Sequence, residues 1–170
     1  MADTLTLYKL IVLKMLDQVD SPLSNSQISE FILDKEYTNY FTLQQVLSEM
    51  DETGLVTVST SHNSSLYHIT DIGKSTLEFF GDKISDAICR DIDIYLEEKE
   101  VDIRNSLAVT ADYFPGSSND YLVRCQVREE NSTLIDLTLS VPSEKQAVSM
   151  CNHWSEKSQD IYAYIMKNLL

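Results

Sequence analysis

His62, His68 and His153 are the chain's three histidines, and Cys89, Cys125 and Cys151 are its three cysteines. None of the histidines shows the HxxxH or HExxH spacing that puts two imidazoles on one helical face, and no cysteine pair lies near them in sequence. A zinc site is therefore not expected. Asp91 and Asp93 alternate with isoleucine on an expected helix. They fall about 200° apart round its axis and cannot chelate one ion together. For nucleophilic catalysis there is no GxSxG turn, and Cys125, on an expected strand, carries no sequence signature of a base partner. The pairs Glu97–Glu98 and Glu129–Glu130 fall at a helix end and at a turn tip, where carboxylates are solvated. The four glycines, Gly54, Gly73, Gly81 and Gly116, are never clustered. That excludes a P-loop or a Rossmann phosphate turn in its usual form. The expectation is a non-enzymatic protein with no cofactor and no bound metal.

The chain has 170 residues, of which 43% are apolar and 24% charged, within the range of an ordinary globular protein of one domain or two small ones. Thirteen basic residues against 27 acidic ones give a net charge of −14, which opposes non-specific attraction to nucleic acid. Three scattered cysteines with no CxxC fit a reducing compartment without disulfides. No basic region precedes an apolar stretch at the N-terminus. The aliphatic run Leu10 to Leu13 is far shorter than the roughly 20 residues of a membrane span. A cytoplasmic protein with no membrane partner is expected.

The elements follow from the spacing of apolar residues. Residues 5 to 19 (LTLYKLIVLKMLDQV) read as a helix apolar almost all round, which must be covered on several sides. Ser24 with Gln27 forms a capping box that opens a second helix carrying Ile28, Phe31 and Ile32 on one face, ending near Glu36. Thr42 with Gln45 repeats that signature, and Leu43, Val46, Leu47 and Met50 follow at i, i+3, i+4 and i+7, with Gly54 at the helix end. LVTVST (55 to 60) and LYHIT (66 to 70), joined by SHNSS (61 to 65), predict a β-hairpin. Thr70 or Asp71 then caps a helix with Gly73 at a close approach.

Ile84, Ile88, Ile92 and Tyr95 predict a further helix to about Glu98, continuing the preceding one with a kink and linking the halves. Three strand-like runs, Ser106 to Phe114, Tyr121 to Arg128 and Thr133 to Val141, suggest an antiparallel meander. Ser143 with Gln146 caps a last helix bearing Ala147, Cys151, Trp154, Ser158, Ile161, Ile165 and Leu169, with a break near Ser155, that covers one face of the meander. Residues 1–81 and 82–170 are the expected domains. Tyr37, Tyr40 and Phe41 are expected to fill the gap between helices rather than to stack on bases. Trp154 and Tyr162 are read as core or dimer contacts. An apolar cleft in the second half could take a small-molecule effector, though no residue pattern identifies one.

The segment GLVTVSTSHNSSLYHITDIGKSTLEFF resembles the wing and following helix of a winged-helix domain. YFTLQQVLSEMDETGLV resembles the recognition helix running into the first wing strand of PadR-like and MarR-like bacterial regulators. With IYLEEKEVDIRNSLAVTADYF and MCNHWSEKSQDIYAYIMKNLL, the whole chain is similar to a family of small bacterial winged-helix proteins of unknown function. The resemblance implies an α+β fold: an N-terminal winged helix-turn-helix followed by a helix, a three-stranded antiparallel sheet and a C-terminal helix.

It also implies a DNA-binding transcriptional regulator on double-stranded DNA, with the third helix in the major groove and the hairpin beside the backbone; a homodimer is expected from the all-round apolar first helix and the second half, since paired recognition helices gain affinity. The residues so assigned are Thr42, Gln44, Gln45 and Ser48 on the helix and His62, Asn63 and Ser64 on the wing. Docking by its apolar stripe leaves Gln44, Gln45, Ser48 and Glu52 outward, and glutamine can pair with adenine edges. Against this, Glu49, Asp51 and Glu52 bring negative charge to the same helix, and the wing tip has no Lys or Arg for phosphates. Lys9, Lys14, Lys35 and Lys74 would have to gather into a local basic patch. The competing reading is a winged-helix module for protein–protein interaction without DNA binding.

Overall fold

A computed structural model describes residues 3–61, 64–129 and 131–170. The protein is mixed α+β, with seven α-helices and two three-stranded antiparallel sheets among those residues. It divides into two compact units, the first of Met1–Thr60 with Ser64–Glu100 and the second chiefly of Val101–Leu170.

The first unit is arranged round helix α1 (Asp3–Asp17). Leu10, Ile11, Val12, Leu13, Met15 and Leu16 are all buried, and only Lys14 within that stretch is partly exposed. Each such side chain contributes about 1.5–3 kcal/mol relative to exposure, which is why four later elements gather on this one helix. They are α3 (Tyr40–Glu52), β3 (Ser65–Ile69), α4 (Asp71–Phe80) and α5 (Asp86–Glu98).

Between α1 and α3 lie a two-residue strand, β1 (Leu23–Ser24), and helix α2 (Asn25–Asp34). The Ser24–Gln27 capping box is complete: the Gln27 amide donates to Ser24 Oγ at 3.1 Å and the Ser24 amide to Gln27 Oε1 at 2.8 Å. Helix α3 starts earlier than expected, because its cap is Asn39 and not Thr42. Asn39 Oδ1 accepts from the Thr42 amide at 2.9 Å, and asparagine is the stronger N-cap of the two.

Helices α2 and α3 end in the same way. The amides of Tyr37 and Glu36 donate to Ile32 and Leu33 carbonyls, and those of Leu55 and Gly54 to Met50 and Asp51, which are two Schellman motifs. The left-handed position is Gly54 (φ 77°) in one and Glu36 (φ 56°) in the other. Glutamate pays a steric penalty there that glycine escapes.

Strand β2 (Val56–Thr60) pairs with β3 from Val56↔Ile69 to Thr60↔Ser65, and β1 lies on the other edge of β3, giving the order β1-β3-β2. Thr70 caps α4 by accepting from the Gly73 amide at 3.1 Å, while its hydroxyl also reaches the Leu55 carbonyl at 3.0 Å. Gly73 is buried against this corner. A Cβ there would collide with the Leu55 carbonyl oxygen and come within 3.0 Å of Ile69 Cγ1 and Leu13 Cδ2. Helix α5 does not continue α4, as a 3-10 turn (Gly81–Lys83) and a fresh cap at Ser85 intervene. Ile92, Tyr95 and Leu96 of α5 are buried, and the Tyr95 hydroxyl donates to the Gln27 carbonyl at 3.0 Å, so α5 closes the core of this unit.

Helix α6 (Glu100–Ala108), which passes into the second unit at Val101, stands where a strand is expected from Ser106. Ser106, Leu107 and Ala108 lack the β-branched side chains that start at Val109, and the strand β4 begins there (Val109–Pro115). It is followed by β5 (Tyr121–Glu129) and β6 (Ser132–Val141) in the antiparallel order β4-β5-β6. Helix α7 (Glu144–Leu169) runs 26 residues without the break expected near Ser155. Its buried Ala147, Cys151 and Trp154 form a core with Val123, Cys125 and Ile135 of the sheet. The Trp154 indole donates to the Gln126 carbonyl at 3.1 Å.

Gly73→Ala is expected to lower stability by about 1–3 kcal/mol through overpacking. Glu36→Gly is expected to raise it by up to about 1 kcal/mol by relieving the left-handed backbone. Denaturant melts followed by circular dichroism check both signs.

Candidate nucleic-acid interface

Helix α3 docks by Leu43, Val46, Leu47 and Met50, all buried. On the opposite side Gln45, Ser48 and Glu52 are exposed, as the spacing predicts. Gln44 departs from that expectation. It is half-buried and forms a reciprocal amide pair with Asn25: Asn25 Nδ2 donates to Gln44 Oε1 at 2.9 Å, and Gln44 Nε2 donates to Asn25 Oδ1 at 3.1 Å. Asn25 also donates to the Tyr67 hydroxyl at 3.2 Å and accepts from the Ser29 hydroxyl at 3.0 Å, so this polar cluster ties α2, α3 and β3 together. The wheel carries the signal that was missed: Gln44 stands about 100° from the centre of the apolar stripe, on its shoulder, and Gln45 nearly opposite.

Thr42 is half-exposed in the first turn, with its amide already taken by Asn39. Ser64 is half-exposed just before β3, while His62 and Asn63 lie outside the described residues. On the hairpin, Thr57, Ser59 and His68 are exposed, with Ser59 Oγ and His68 Nε2 3.4 Å apart.

The aromatic cluster also divides differently from the expectation. Tyr37 packs edge-on to Phe31 at 5.7 Å and donates its hydroxyl to Asp91 at 2.7 Å; burial first, and then that carboxylate, push its phenol well above the usual range. Tyr40 and Phe41 do not fill the gap between helices. They are 52% and 82% exposed and sit edge-to-face 5.9 Å apart. With the helix starting at Tyr40, Phe41 is carried round to the face opposite Leu43 and Leu47.

The electrostatics of this surface are one-sided. Residues 36–73, which span α3 and the hairpin, contain no Lys or Arg and include Glu36, Glu49, Asp51, Glu52 and Asp71. Lys9 reaches across from α1, but its ammonium lies 2.9 Å from the Glu49 carboxylate, which also accepts from Gln45 at 3.2 Å. The Lys9 contact first, and then the Gln45 amide, hold the Glu49 carboxyl below its ordinary value. Lys35 stands 3.8 Å from Asp91 and Lys99 3.1 Å from Glu30. Of the four lysines that would have to form a basic patch, Lys9 and Lys35 are thus balanced by acids.

Elsewhere, burial pushes the Cys125 thiol up to about 11 and raises that of Cys151, so both remain thiols rather than thiolate nucleophiles at neutral pH. Among the described residues no three of His, Cys, Asp and Glu converge to hold a metal ion, and no helix is long and apolar enough to cross a membrane.

An α+β protein of two units, one presenting a helix and a hairpin on an acidic surface, is the class that these observations define. The chain belongs to the family described as Domain of unknown function (DUF4364), which matches residues 8–169. No curated protein and no solved structure matches it.

Gln44→Ala is expected to cost about 0.5–1.5 kcal/mol by removing its two hydrogen bonds to Asn25, whose amide keeps Tyr67 and Ser29. Gln45→Ala and Ser48→Ala are expected to stay within about 0.5 kcal/mol of wild type, as surface changes do. The Glu49 carboxyl has a folded-state pKa below its unfolded one, so its contribution is present at neutral pH and lost as pH falls through the lowered value. Glu49→Gln should therefore lessen the drop in melting temperature between pH 7 and acid conditions below about 4.

Proposed function

We propose that the first unit is a winged helix that recognises a protein partner through α3 and its surroundings, and that the chain is a non-enzymatic interaction module. The order α1, β1, α2, α3, β2, β3, with β1 laid on the far edge of the hairpin, supports the winged-helix arrangement. The observation that carries the choice of partner is the charge of the reading surface. An α3 placed in a major groove would bring Glu49, Asp51 and Glu52 toward phosphates with no cation on that helix or on the hairpin strands, and Lys9 is already held by Glu49. Exposed Tyr40 and Phe41 instead supply the aromatic area on which protein contacts are built. The free thiols of Cys89, Cys125 and Cys151 support a reducing, cytoplasmic setting.

A DNA-binding transcriptional regulator is the second reading, favoured by outward Gln45 and Ser48 on α3 beside Thr57, Ser59 and His68 on the hairpin, all able to hydrogen-bond base edges or phosphates. Two measurements separate them. Fluorescence anisotropy with random-sequence duplex at about 50 mM salt should show no binding at micromolar protein. Binding that falls steeply toward 200 mM and weakens in the Gln45→Ala, Ser48→Ala double variant would establish the DNA reading and end the other. A photo-crosslinking residue in place of Phe41, activated in cells, should yield adducts with protein; adducts with DNA alone would reverse the conclusion.

A further inference from the structure

The second unit leaves one long sheet edge open. Strand β6 is 10 residues long and pairs with β5 on one side, and no strand lies beyond it among the described residues. Such an edge is a template for pairing unless lysine, proline or a free charge blunts it. The strand reads STLIDLTLSV, with no Lys, no Pro and one charge, Asp136. That charge does not guard the edge, because it is bound back to β5: Arg124 Nε and Nη2 donate to its two oxygens at 3.0 and 2.8 Å, and Gln126 adds a third bond at 3.2 Å. The inner face is also incompletely covered, since α7 packs mainly on β4 and β5. Ile135 is buried, Leu137 is half-buried and Leu139 is 45% exposed, although all three share the face that α7 covers.

We propose that β6 is the surface through which two copies of this chain join, edge to edge and antiparallel, into one six-stranded sheet with both α7 helices on the same face. The strand is complementary to itself when the pairing is centred on Leu137 or on Thr138, the second setting Leu137 against Leu139 and Asp136 against Ser140. Antiparallel pairing sets residues of the same face opposite each other. Centred on Leu137, it places Leu137 against Leu137 of the second copy, Ile135 against Leu139, and Asp136 against Thr138. Centred on Asp136, it would oppose two carboxylates. A centre lying between two residues would set an inner leucine against an outer-face residue, which the pleat forbids. The irregularity between Val127 and Arg128, opposite Leu134, bends the strand and bounds the paired run at one end, with Leu139 near the other. The proposal is independent of what the first unit recognises.

Sedimentation velocity on the full chain at about 20 μM, above a micromolar dissociation constant, tests it. The wild type should sediment as a dimer, at twice the 19.4 kDa of one chain. Leu139→Lys, at an exposed position that leaves the monomer fold intact by circular dichroism, should weaken association by about tenfold or more. Thr138→Asp, which sets carboxylates of the two copies opposite each other in either register, should weaken it as well. Phe79→Asp, on the exposed face of α4, should leave the dimer unchanged. A wild-type chain that stays monomeric, variants of β6 that dimerise like wild type, or dissociation by Phe79→Asp alone would each overturn the proposal.

Discussion

The first unit depends on the need to hide α1 round most of its circumference between Leu10 and Leu16. A helix with one apolar stripe is satisfied by one neighbour, whereas a helix carrying Leu10, Ile11, Val12, Leu13, Met15 and Leu16 in near succession needs a shell. Helices α3, α4 and α5 and strand β3 form that shell, each spending one face on α1 or its neighbours. The surface of the unit is therefore made of the other faces of those elements. Which residues of α3 face outward is settled by how that helix covers α1.

The polar contacts refine this arrangement. Asn25, Gln44 and Tyr67 join α2, α3 and β3 through side chains that a purely apolar shell would leave free to slide. Thr70 joins the end of α3 to the start of α4, where Gly73 lets the two chains touch. Ion pairs add sign rather than strength. Lys9–Glu49 is a partly exposed pair of the kind that contributes little to stability, yet it occupies a cation that reaches α3 with one of that helix's own acids.

Much of this was legible in the residues, and the exceptions share a cause. The apolar stripes of α3 and α7, the hairpin, and the caps at Ser24, Thr70 and Ser143 are local signals, written within a few residues of where they act. Gln44 and Asn25 are 19 residues apart, and the inward turn of Gln44 requires a partner that no local pattern names. The same holds for Lys9 and Glu49, since periodicity places each on its own helix without saying that the helices meet. The misplaced start of α3 was a competition between two good caps, Asn39 and Thr42. Moving that start to Tyr40 turned Tyr40 and Phe41 from filler into exposed rings. Strand β1, of two residues, exists only because β3 offers it an edge. The short helix α6 ends directly against the β-branched run that opens at Val109, and no local signal between Ser106 and Ala108 marks where helix gives way to strand.

Trp154 is the chain's one tryptophan, and it is buried in the second unit with its indole bonded to the Gln126 carbonyl. Light near 295 nm, which tyrosines barely absorb, therefore excites a single chromophore whose emission wavelength follows the packing of α7 on its sheet. Far-ultraviolet dichroism, in contrast, reports the helices of both units. The molecule thus carries a built-in optical label on one unit, and comparing the two spectroscopies would show whether its units melt together or one after the other.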